Sequence, residues 1–372
     1  MPVQNCEVIK LIEQLAPRYI AAEWDNSGLQ IGSLKSYTEH VLITLDVDEK
    51  VVKEAIDLGA NLIISHHPIL MKGIKRIDLS NNTGRLISML LKNDITVYAT
   101  HTNLDSVIGG VSDILADKVE LKDVDVLYEL GKDQYVKLVV FVPEGHQDAV
   151  RQALSLAGAG WIGNYSDCTF QTVGMGTFCP REGTNPFIGK KGQIEKVREI
   201  RLETIVHEKK LHAVIDSMIK VHPYEEVAYD IYPLKEPNEI YGFGRIGVLR
   251  KPLKFKRFIE KVKEKLGLKY VRCGGDPNRI ISKVAVCGGS GSELWETALE
   301  KQADVYLTGD IKYHIANDML ASGLAFVDAG HFYTELPVLE LIFKCLEEGL
   351  NRGDTRAGLT ISKCNRDPFK YL

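Results

Sequence analysis

Two adjacent histidines follow a short apolar segment in the first third of the chain. Residues 61–65 predict a buried strand, and His66 and His67 come directly after it, before Pro68. Proline lacks an N–H and keeps the preceding residue extended, so the strand should end there. At such an end two imidazoles can converge, and neutral imidazole is the commonest protein ligand for metals. A pair of histidines is weak evidence by itself, so the choice between a metal site and an ordinary pair depends on further ligands.

Other polar side chains follow the strands predicted on either side. Asp46 comes at the end of a strand predicted at 41–47, while His101 and Asp105 follow one predicted at 95–100. Ligands bind outside the carboxyl ends of parallel strands, so these groups should meet at one edge. Asp105 is either a carboxylate ligand or a residue that caps a turn. For Asp46 we expect a hydrogen bond that orients an imidazole.

A third group of polar residues lies far along the chain. His331 and Glu335 follow a strand predicted at 324–327. If the chain is already helical there, residues i and i+4 share one face. Pro337 favours the alternative that the helix begins later, with Thr334 as its N-cap. Both interpretations put the two side chains near a strand's carboxyl end, and the residues alone leave metal binding and a capping arrangement open.

These residues are carried by alternating strands and helices in the outer thirds of the chain. Such alternation predicts parallel sheets with right-handed crossovers. Because the last third repeats the pattern of the first, we expect an α/β fold in which two related halves form one core. In the first part of the chain, the predicted helices are 6–15, 49–58 and 84–92, and the predicted strands are 41–47, 61–65 and 95–100. In the last part, the predicted strands are 280–286, 305–307 and 324–327, and the predicted helices end at 301, 321 and 348.

The middle of the chain has a different order of elements. It predicts βαββαβ, which is the split βαβ, ferredoxin-like arrangement, and it resembles the CutA and PII trimeric signalling proteins. We therefore expect an α/β core domain made of residues 1–128 and 237–372, with residues 129–236 inserted as a ferredoxin-like domain. His222 is interpreted as a loop residue of that domain.

Two glycine-bearing loops have structural interpretations. Residues 23–32 are expected to be a surface turn around a half-buried Trp24, although the loop could also line a site. Residues 288–291, Gly-Gly-Ser-Gly, could hold an anion through backbone N–H groups, but they match neither the Walker nor the dinucleotide pattern. A tight turn is the prediction for this second loop, and His314 is expected to lie outside any metal site.

Composition restricts the partners and the compartment. Net charge is −4, and no basic tract is present, which argues against nucleic acid as the main partner. No apolar run is long enough to span a bilayer, and the first residues lack the layout of a signal peptide. Seven scattered cysteines form no Cys-x-x-Cys pair, as in proteins of a reducing cytosol. The expectation is a cytoplasmic protein with a small-molecule substrate and no membrane partner.

Four segments together resemble one family, the GTP cyclohydrolase I type 2 family of NIF-three-like di-metal proteins. They are residues 24–30 (WDNSGLQ), 65–68 (SHHP), 100–105 (THTNLD) and 330–335 (GHFYTE). The resemblance covers both outer thirds in the expected order, and the middle is similar to the insertion of the longer bacterial members. It implies two divalent metal ions per subunit, and a toroidal homohexamer whose sites face an internal cavity. The implied metal ligands are His66, His67, Asp105, His331 and Glu335.

The resemblance and the ligand types lead to two functional hypotheses. Five N and O ligands without a thiolate suit Zn²⁺, Fe²⁺ or Mn²⁺. The first hypothesis is a dinuclear metal-dependent hydrolase that acts on a nucleotide or related heterocycle through a metal-bound hydroxide, with His101 as proton shuttle. The alternative is a non-catalytic, metal-binding regulatory or scaffold assembly whose middle domain senses a small ligand.

Overall fold

The computed structural model describes residues 2–163, 165–235, 240–351 and 357–370. The chain divides into two compact units: unit 1 contains residues 1–131 and 241–372, and unit 2 contains residues 132–240. The domain boundary predicted between residues 236 and 237 lies outside the described residues. Within those residues, no helix combines the length and apolar character needed to cross a membrane.

The first segment of unit 1 alternates helices and strands. The helix predicted at 49–58 is confirmed, with Gly59 at φ 64° as its stop. A short 3₁₀ helix covers Arg18–Ile20. The elements are β1 (Val3–Gln4), α1 (Asn5–Leu15), β2 (Gly28–Ile31), β3 (Tyr37–Thr38), β4 (His40–Thr44), α2 (Glu49–Leu58), β5 (Leu62–Ser65), α3 (Asn82–Lys92), β6 (Thr96–Ala99), α4 (Thr102–Ser106), α5 (Val111–Lys118) and β7 (Leu121–Lys132).

Unit 2 contains one antiparallel sheet and two helices. Its elements are β8 (Tyr135–Pro143), α6 (Gln147–Leu156), β9 (Thr169–Phe178), β10 (Glu195–His207), α7 (Leu211–Val221) and β11 (Tyr229–Pro233). The strand order is β11-β8-β10-β9, so β9 lies at an edge. Val150 of α6 and Val214 of α7 pack with Val140 and Leu202 of the sheet, which gives this unit its own hydrophobic core. Helix α7 begins at Leu211, after a 3₁₀ turn at Glu208–Lys210.

The last segment returns to unit 1. The strand predicted at 280–286 is confirmed. A 3₁₀ helix at Ser292–Leu294 precedes the helix predicted there. The elements are β12 (Ile240–Lys254), α8 (Phe255–Leu266), β13 (Arg272–Gly274), β14 (Ile280–Val286), α9 (Trp295–Glu300), β15 (Val305–Thr308), α10 (Tyr313–Ala321), β16 (Ala325–Asp328), α11 (His331–Glu335), α12 (Val338–Asn351) and β17 (Gly358–Ile361).

Unit 1 therefore has two main sheets. One has the order β17-β4-β5-β6-β2, with parallel pairing from β17 to β6. The other has the order β13-β16-β15-β14-β12-β7, with β14, β15 and β16 parallel. Both sheets thus present the carboxyl ends of several parallel strands, where ligands bind in such folds.

The first sheet depends on both ends of the chain. Ile12 of α1 and Ile342 of α12 pack with Ile43 and Ile64 of its central strands. The last strand, β17, pairs with β4 across more than three hundred residues of sequence. The N-terminal half consequently cannot bury this face of its sheet without the C-terminal helix.

Candidate metal centre

His66 and His67 lie where β5 ends at the edge of the first sheet. Their backbone N–H groups donate to the carbonyls of Thr44 and Leu45, so pairing with the neighbouring strand extends past β5. The His66 side chain is fully buried, and that of His67 is partly exposed. Although adjacent residues of a regular strand point apart, the two ring centroids are 4.9 Å from each other. The strand end has therefore brought both imidazoles to one side.

The later pair, His331 and Glu335, forms a single helical turn. The helix α11 begins at His331, so the alternative with Thr334 as N-cap was wrong. The Thr334 hydroxyl instead donates back toward the carbonyls of Gly330 and His331. Because His331 and Glu335 are four residues apart in a helix, His331 Nε2 lies 3.1 Å from Glu335 Oε1.

Five side chains from distant parts of the chain converge here. His67 Nε2 lies 3.0 Å from Glu335 Oε2 and 3.3 Å from His331 Nε2. His66 Nε2 lies 3.7 Å from Glu335 Oε1 and 3.6 Å from Asp105 Oδ1. Three of the five offer ligand atoms that all lie within 4.8 Å of one another, namely His66, His67 and Glu335. This group could hold a metal ion, and Asp105 and His331 adjoin it.

A hydrogen bond at Nδ1 fixes the ring of each histidine in the cluster. The acceptor for His66 Nδ1 is the carbonyl of Thr100 at 2.8 Å, and a carbonyl can only accept. His66 Nδ1 must therefore carry the proton, which leaves Nε2 of the neutral ring with a free lone pair. His67, His331 and His101 make the corresponding bond to a carboxylate. Those carboxylates are Asp46 at 2.9 Å, Asp310 at 2.7 Å and Asp25 at 2.8 Å, respectively.

Several polar atoms at the centre lack a hydrogen-bond partner. Among the described residues, His66 Nε2, Asp105 Oδ1 and Glu335 Oε2 are buried without one. Leaving such atoms unpaired costs about 1–3 kcal/mol each, so native proteins rarely do so without a bound group. All three atoms are metal-ligand types, and their imidazole and carboxylate donors suit a divalent cation. The residues present therefore fit the metal that the site's chemistry suggests.

The pKa values reflect the crowding of opposite charges. Burial lowers the pKa of His67, but the adjacent carboxylates of Asp46 and Glu335 outweigh it and raise the pKa to about 10. Glu335 and Asp310 likewise outweigh burial at His331 and raise its pKa to about 9. Burial raises the pKa of Asp105. Without a cation the cluster thus retains protons, which metal binding would have to displace.

His101 lies beside the cluster. Its ring centroid is 5.5 Å from that of His66 and 5.6 Å from that of His67. Asp25, which holds its Nδ1, also accepts hydrogen bonds from the hydroxyls of Ser27 and Thr102. Burial raises the pKa of Asp25, but these hydrogen bonds outweigh it and hold the pKa well below its usual value. The carboxylate is therefore ionised and able to keep the His101 ring oriented.

The sequence analysis did not identify two carboxylates of the site, Asp25 and Asp310. The loop at 23–32 is not a simple surface turn, because the Asp25 side chain is fully buried, whereas Trp24 is exposed rather than half-buried. Asp310 was also missed, although it follows β15 as Asp46 follows β4. Its position after a parallel strand was a usable signal.

The Gly-Gly-Ser-Gly loop is a tight turn, as predicted. The N–H groups of Gly288, Gly289 and Gly291 donate to the hydroxyls of Ser112, Thr334 and Thr308 respectively, so they are not free for an anion. A Cβ on Gly289 would lie 2.0 Å from Glu335 Oε1. The loop therefore packs directly under the cluster and makes room for Glu335.

Two further histidines considered in the sequence analysis, His222 and His314, lie outside the candidate metal centre. His314 is exposed on α10. His222 ends α7, where its N–H donates to the Met218 carbonyl and its Nε2 contacts the Phe141 carbonyl oxygen at 3.1 Å. Both positions agree with their structural interpretations.

Comparison with known proteins gives matches along the whole chain. The family profile described as Duf34/NIF3 (NGG1p interacting factor 3) matches residues 3–368. The chain is similar to a protein of Halalkalibacterium halodurans named "GTP cyclohydrolase 1 type 2 homolog", with 46% identity over 368 residues and 98% of each chain covered. A Bacillus subtilis protein of the same name is 44% identical over 370 residues, covering 100% of this chain and 99% of its own. The crystal structure of a Bacillus cereus protein "related to NIF3" superposes with a TM-score of 0.84 at 44% identity, covering 99% of each chain.

Proposed function

Because this chain belongs to the Duf34/NIF3 family, we propose that it is a dinuclear, divalent-metal-dependent hydrolase acting on a nucleotide or a related heterocycle. The observation that carries the proposal is the convergence of imidazole Nε2 atoms on two carboxylates. Among the described residues, His66 Nε2, Asp105 Oδ1 and Glu335 Oε2 are buried there without a hydrogen-bond partner. The name of the Bacillus subtilis relative, which refers to a GTP cyclohydrolase, supports the substrate class. Because that name describes similarity to an enzyme, catalytic turnover has to be measured directly.

Five residues would hold the ions: His66, His67, Asp105, His331 and Glu335. Zn²⁺, Fe²⁺ and Mn²⁺ all accept such N and O donors. Bound there, two divalent cations would act as Lewis acids that activate water at neutral pH and polarise the substrate. Glu335 is the better candidate to serve both ions, since its two oxygens face different imidazoles.

The remaining polar residues would position these groups and move a proton. Asp46, Asp310 and the Thr100 carbonyl keep Nδ1 of three imidazoles protonated, so that each Nε2 faces the centre. His101 would transfer a proton at its own Nε2, because Asp25 occupies Nδ1. A proton shuttle needs such an oriented ring within reach of the reacting atoms.

The metal content of the purified full chain tests the binding step. His67→Ala and Glu335→Ala should each lose most of the metal measured by plasma mass spectrometry, because each removes a central donor. His314→Ala, which changes an exposed histidine of α10, should keep it. Equal metal content in all four proteins would place the ions elsewhere.

The catalytic step is tested with GTP and each candidate ion. We expect formate and an altered nucleotide from the wild type and neither product from Glu335→Ala. If the protein holds metal but yields no product at high concentration, the cyclohydrolase activity is rejected, and the non-catalytic regulatory or scaffold alternative takes its place. Turnover that survives in Glu335→Ala would belong to a contaminant or another site.

The organisation of the chain is part of the proposal. We propose that unit 2 is an inserted ferredoxin-like domain, which its order of elements and the sheet order β11-β8-β10-β9 support. We also propose a homohexamer in the cytoplasm. Exposed apolar side chains on edge strand β9 support self-association, and seven free cysteines, all within the described residues, support a reducing compartment.

A further inference from the structure

Unit 2 contains a cavity that the metal chemistry does not use. Its volume is about 520 Å³, within the range of small-molecule sites, and its lining is largely apolar. Three aromatic rings form one side, those of Phe178, Phe187 and Tyr224. The ring centroids of Phe178 and Phe187 lie 5.8 and 6.3 Å, respectively, from that of Tyr224. Such a group of rings presents several π faces to a common space.

A buried carboxylate also lines this cavity. Glu199 of β10 is 8% exposed. Its Oε1 accepts a hydrogen bond from the Tyr224 hydroxyl at 3.0 Å, and its Oε2 has no hydrogen-bond partner among the described residues. Oε2 lies over Gly176, where a Cβ would come within 2.0 Å of it. The missing side chain at Gly176 therefore gives the carboxylate its place in the wall.

The neighbouring cations are committed to other carboxylates. Arg198 and Arg201 flank Glu199 on β10, but Arg198 pairs with Glu144 at 3.2 Å and Arg201 with Glu203 at 2.7 Å. The lining holds three carboxylates, those of Glu199, Glu225 and Glu226, against the single guanidinium of Arg181. Burying a carboxylate is costly unless a cation pairs with it, and no cation within the described part of the chain pairs with Glu199.

We propose that this cavity binds a small organic cation, an ammonium group carried on an aromatic or apolar body. The ammonium would pair with Glu199, while the rings of Phe178, Phe187 and Tyr224 would add cation–π attraction and contact the apolar part. This inference concerns unit 2 alone and rests on none of the metal-centre residues. It assigns the unit a ligand class selected by charge as well as by shape.

Calorimetric titration of the full chain tests the proposal with three probes of similar size. Benzyltrimethylammonium carries the proposed charge, benzyl alcohol is neutral, and benzenesulfonate is an anion. We expect binding of the cation at least tenfold tighter than of the other two. Glu199→Gln keeps the side-chain volume and an oxygen for Tyr224 but removes the charge, so it should weaken cation binding at least tenfold without changing the weak binding of benzyl alcohol.

Two further variants separate charge pairing from structural damage. Glu208→Gln alters an exposed carboxylate of unit 2 that does not line the cavity, so cation binding should be unchanged. Phe187→Leu keeps an apolar wall but removes a π face, and it should weaken only the cation, about three- to tenfold. Undetectable cation binding, equal binding of cation and alcohol, preference for the sulfonate, or an unchanged affinity in Glu199→Gln would each overturn the proposal.

Discussion

The Nδ1 atoms of the histidines decide what the metal centre can bind. A carboxylate or carbonyl at each Nδ1 holds the proton on that side of the ring, so the opposite nitrogen is presented as a ligand. The rings therefore need no reorientation at the moment of metal binding. The same carboxylates also explain why His67 and His331 hold protons when no cation is bound.

Removal of one such partner should lower metal affinity without unfolding the protein. In Asp46→Ala, His67 loses the acceptor for Nδ1, and partners of this kind are worth about 10–100-fold in affinity. Because the Asp46 side chain is 66% exposed, solvent weakens its contribution, and we expect a loss near tenfold. Titration with Zn²⁺ in competition with a chelator measures it. The control is Asp57→Ala, at an exposed position of α2, which should bind Zn²⁺ like the wild type. Unchanged Zn²⁺ affinity in Asp46→Ala would show that the hydrogen bond to His67 does not matter.

Asp25 should make a stability contribution that depends on pH. Asp25→Asn removes a buried acceptor shared by His101, Ser27 and Thr102, and we expect a loss of about 1–3 kcal/mol in the free energy of unfolding at pH 7. The pKa of Asp25 is lowered from 3.8 on folding, so its contribution is complete above that value and falls as pH falls below it. Urea unfolding at pH 7 and pH 3 should therefore show a smaller difference between the two proteins at pH 3. A difference that stays constant with pH would mean that the charge of Asp25 is not involved.

The sequence revealed the candidate metal ligands more readily than the carboxylates that orient the histidine rings. Histidines are scarce, and a histidine after a strand is a visible signal, so all the histidines of the cluster were singled out from the sequence. Asp25 gave no such signal, because an Asp-Asn-Ser stretch is also typical of a turn. Its role depends on the fold of β6 and α4, which brings His101 and Thr102 to it.

At the scale of elements, loops after parallel strands build the site. Glu335 lies on α11, yet it can approach the imidazoles only because the turn after β14 has no side chain at Gly289. Gly289 adopts φ 65°, a left-handed conformation that glycine tolerates best. Two separate properties of glycine are therefore combined at one position: backbone freedom and small size.

A pair of matched substitutions distinguishes these two properties. Gly59 adopts φ 64° at the end of α2, and a Cβ there would meet nothing within 4 Å. Gly59→Ala and Gly289→Ala should each cost about 1–2 kcal/mol for the left-handed backbone. Only Gly289→Ala should also lose metal, because its Cβ would displace Glu335. Thermal unfolding and metal analysis of both variants check this, and retained metal in Gly289→Ala would show that Glu335 is not a ligand.

The sequence predicted the short alternating elements well, but it missed two long strands of unit 1. Strands such as β5 and β14 are apolar runs bounded by turn residues, and helix α2 has a glycine stop, so local patterns define them. In contrast, β7 and β12 were not predicted. Strand β7 lies at the edge of its sheet and carries many exposed charged and polar residues, so it needs little apolar patterning. Strand β12 lies between β14 and β7, but Gly242, Gly244 and Gly247 interrupt its apolar residues. Helix α8 was also missed, although its apolar positions Phe255, Phe258 and Val262 have helical spacing.

At the scale of the whole molecule, strand β9 is the feature most in need of a partner. Phe170 and Met175 are each 65% exposed on this edge strand, and Val173 is 52% exposed. Long apolar edges are normally covered or blocked with charge. Self-association through unit 2 would cover this one.

Light scattering should test whether β9 supports the proposed hexamer. We expect a wild-type mass about six times that of one 41.5 kDa chain. The double variant Val173→Glu and Met175→Glu should give smaller species, because charges along the edge oppose pairing. Leu156→Glu, at an exposed position of α6 in the same unit, should leave the mass unchanged. A wild-type protein with the mass of a single chain would reject the hexamer.

The pairing of β17 with β4 has a consequence for biosynthesis. A ribosome delivers His66 and His67 long before it delivers Glu335 and the strand beside β4. A polypeptide released prematurely would therefore carry half of a cation-binding group beside an unfinished sheet. Such a fragment lacks His331 and Glu335, so it should bind a metal ion more weakly than the full chain. Because the candidate ligands are so far apart in sequence, tight metal binding depends on the synthesis of both outer parts of the chain.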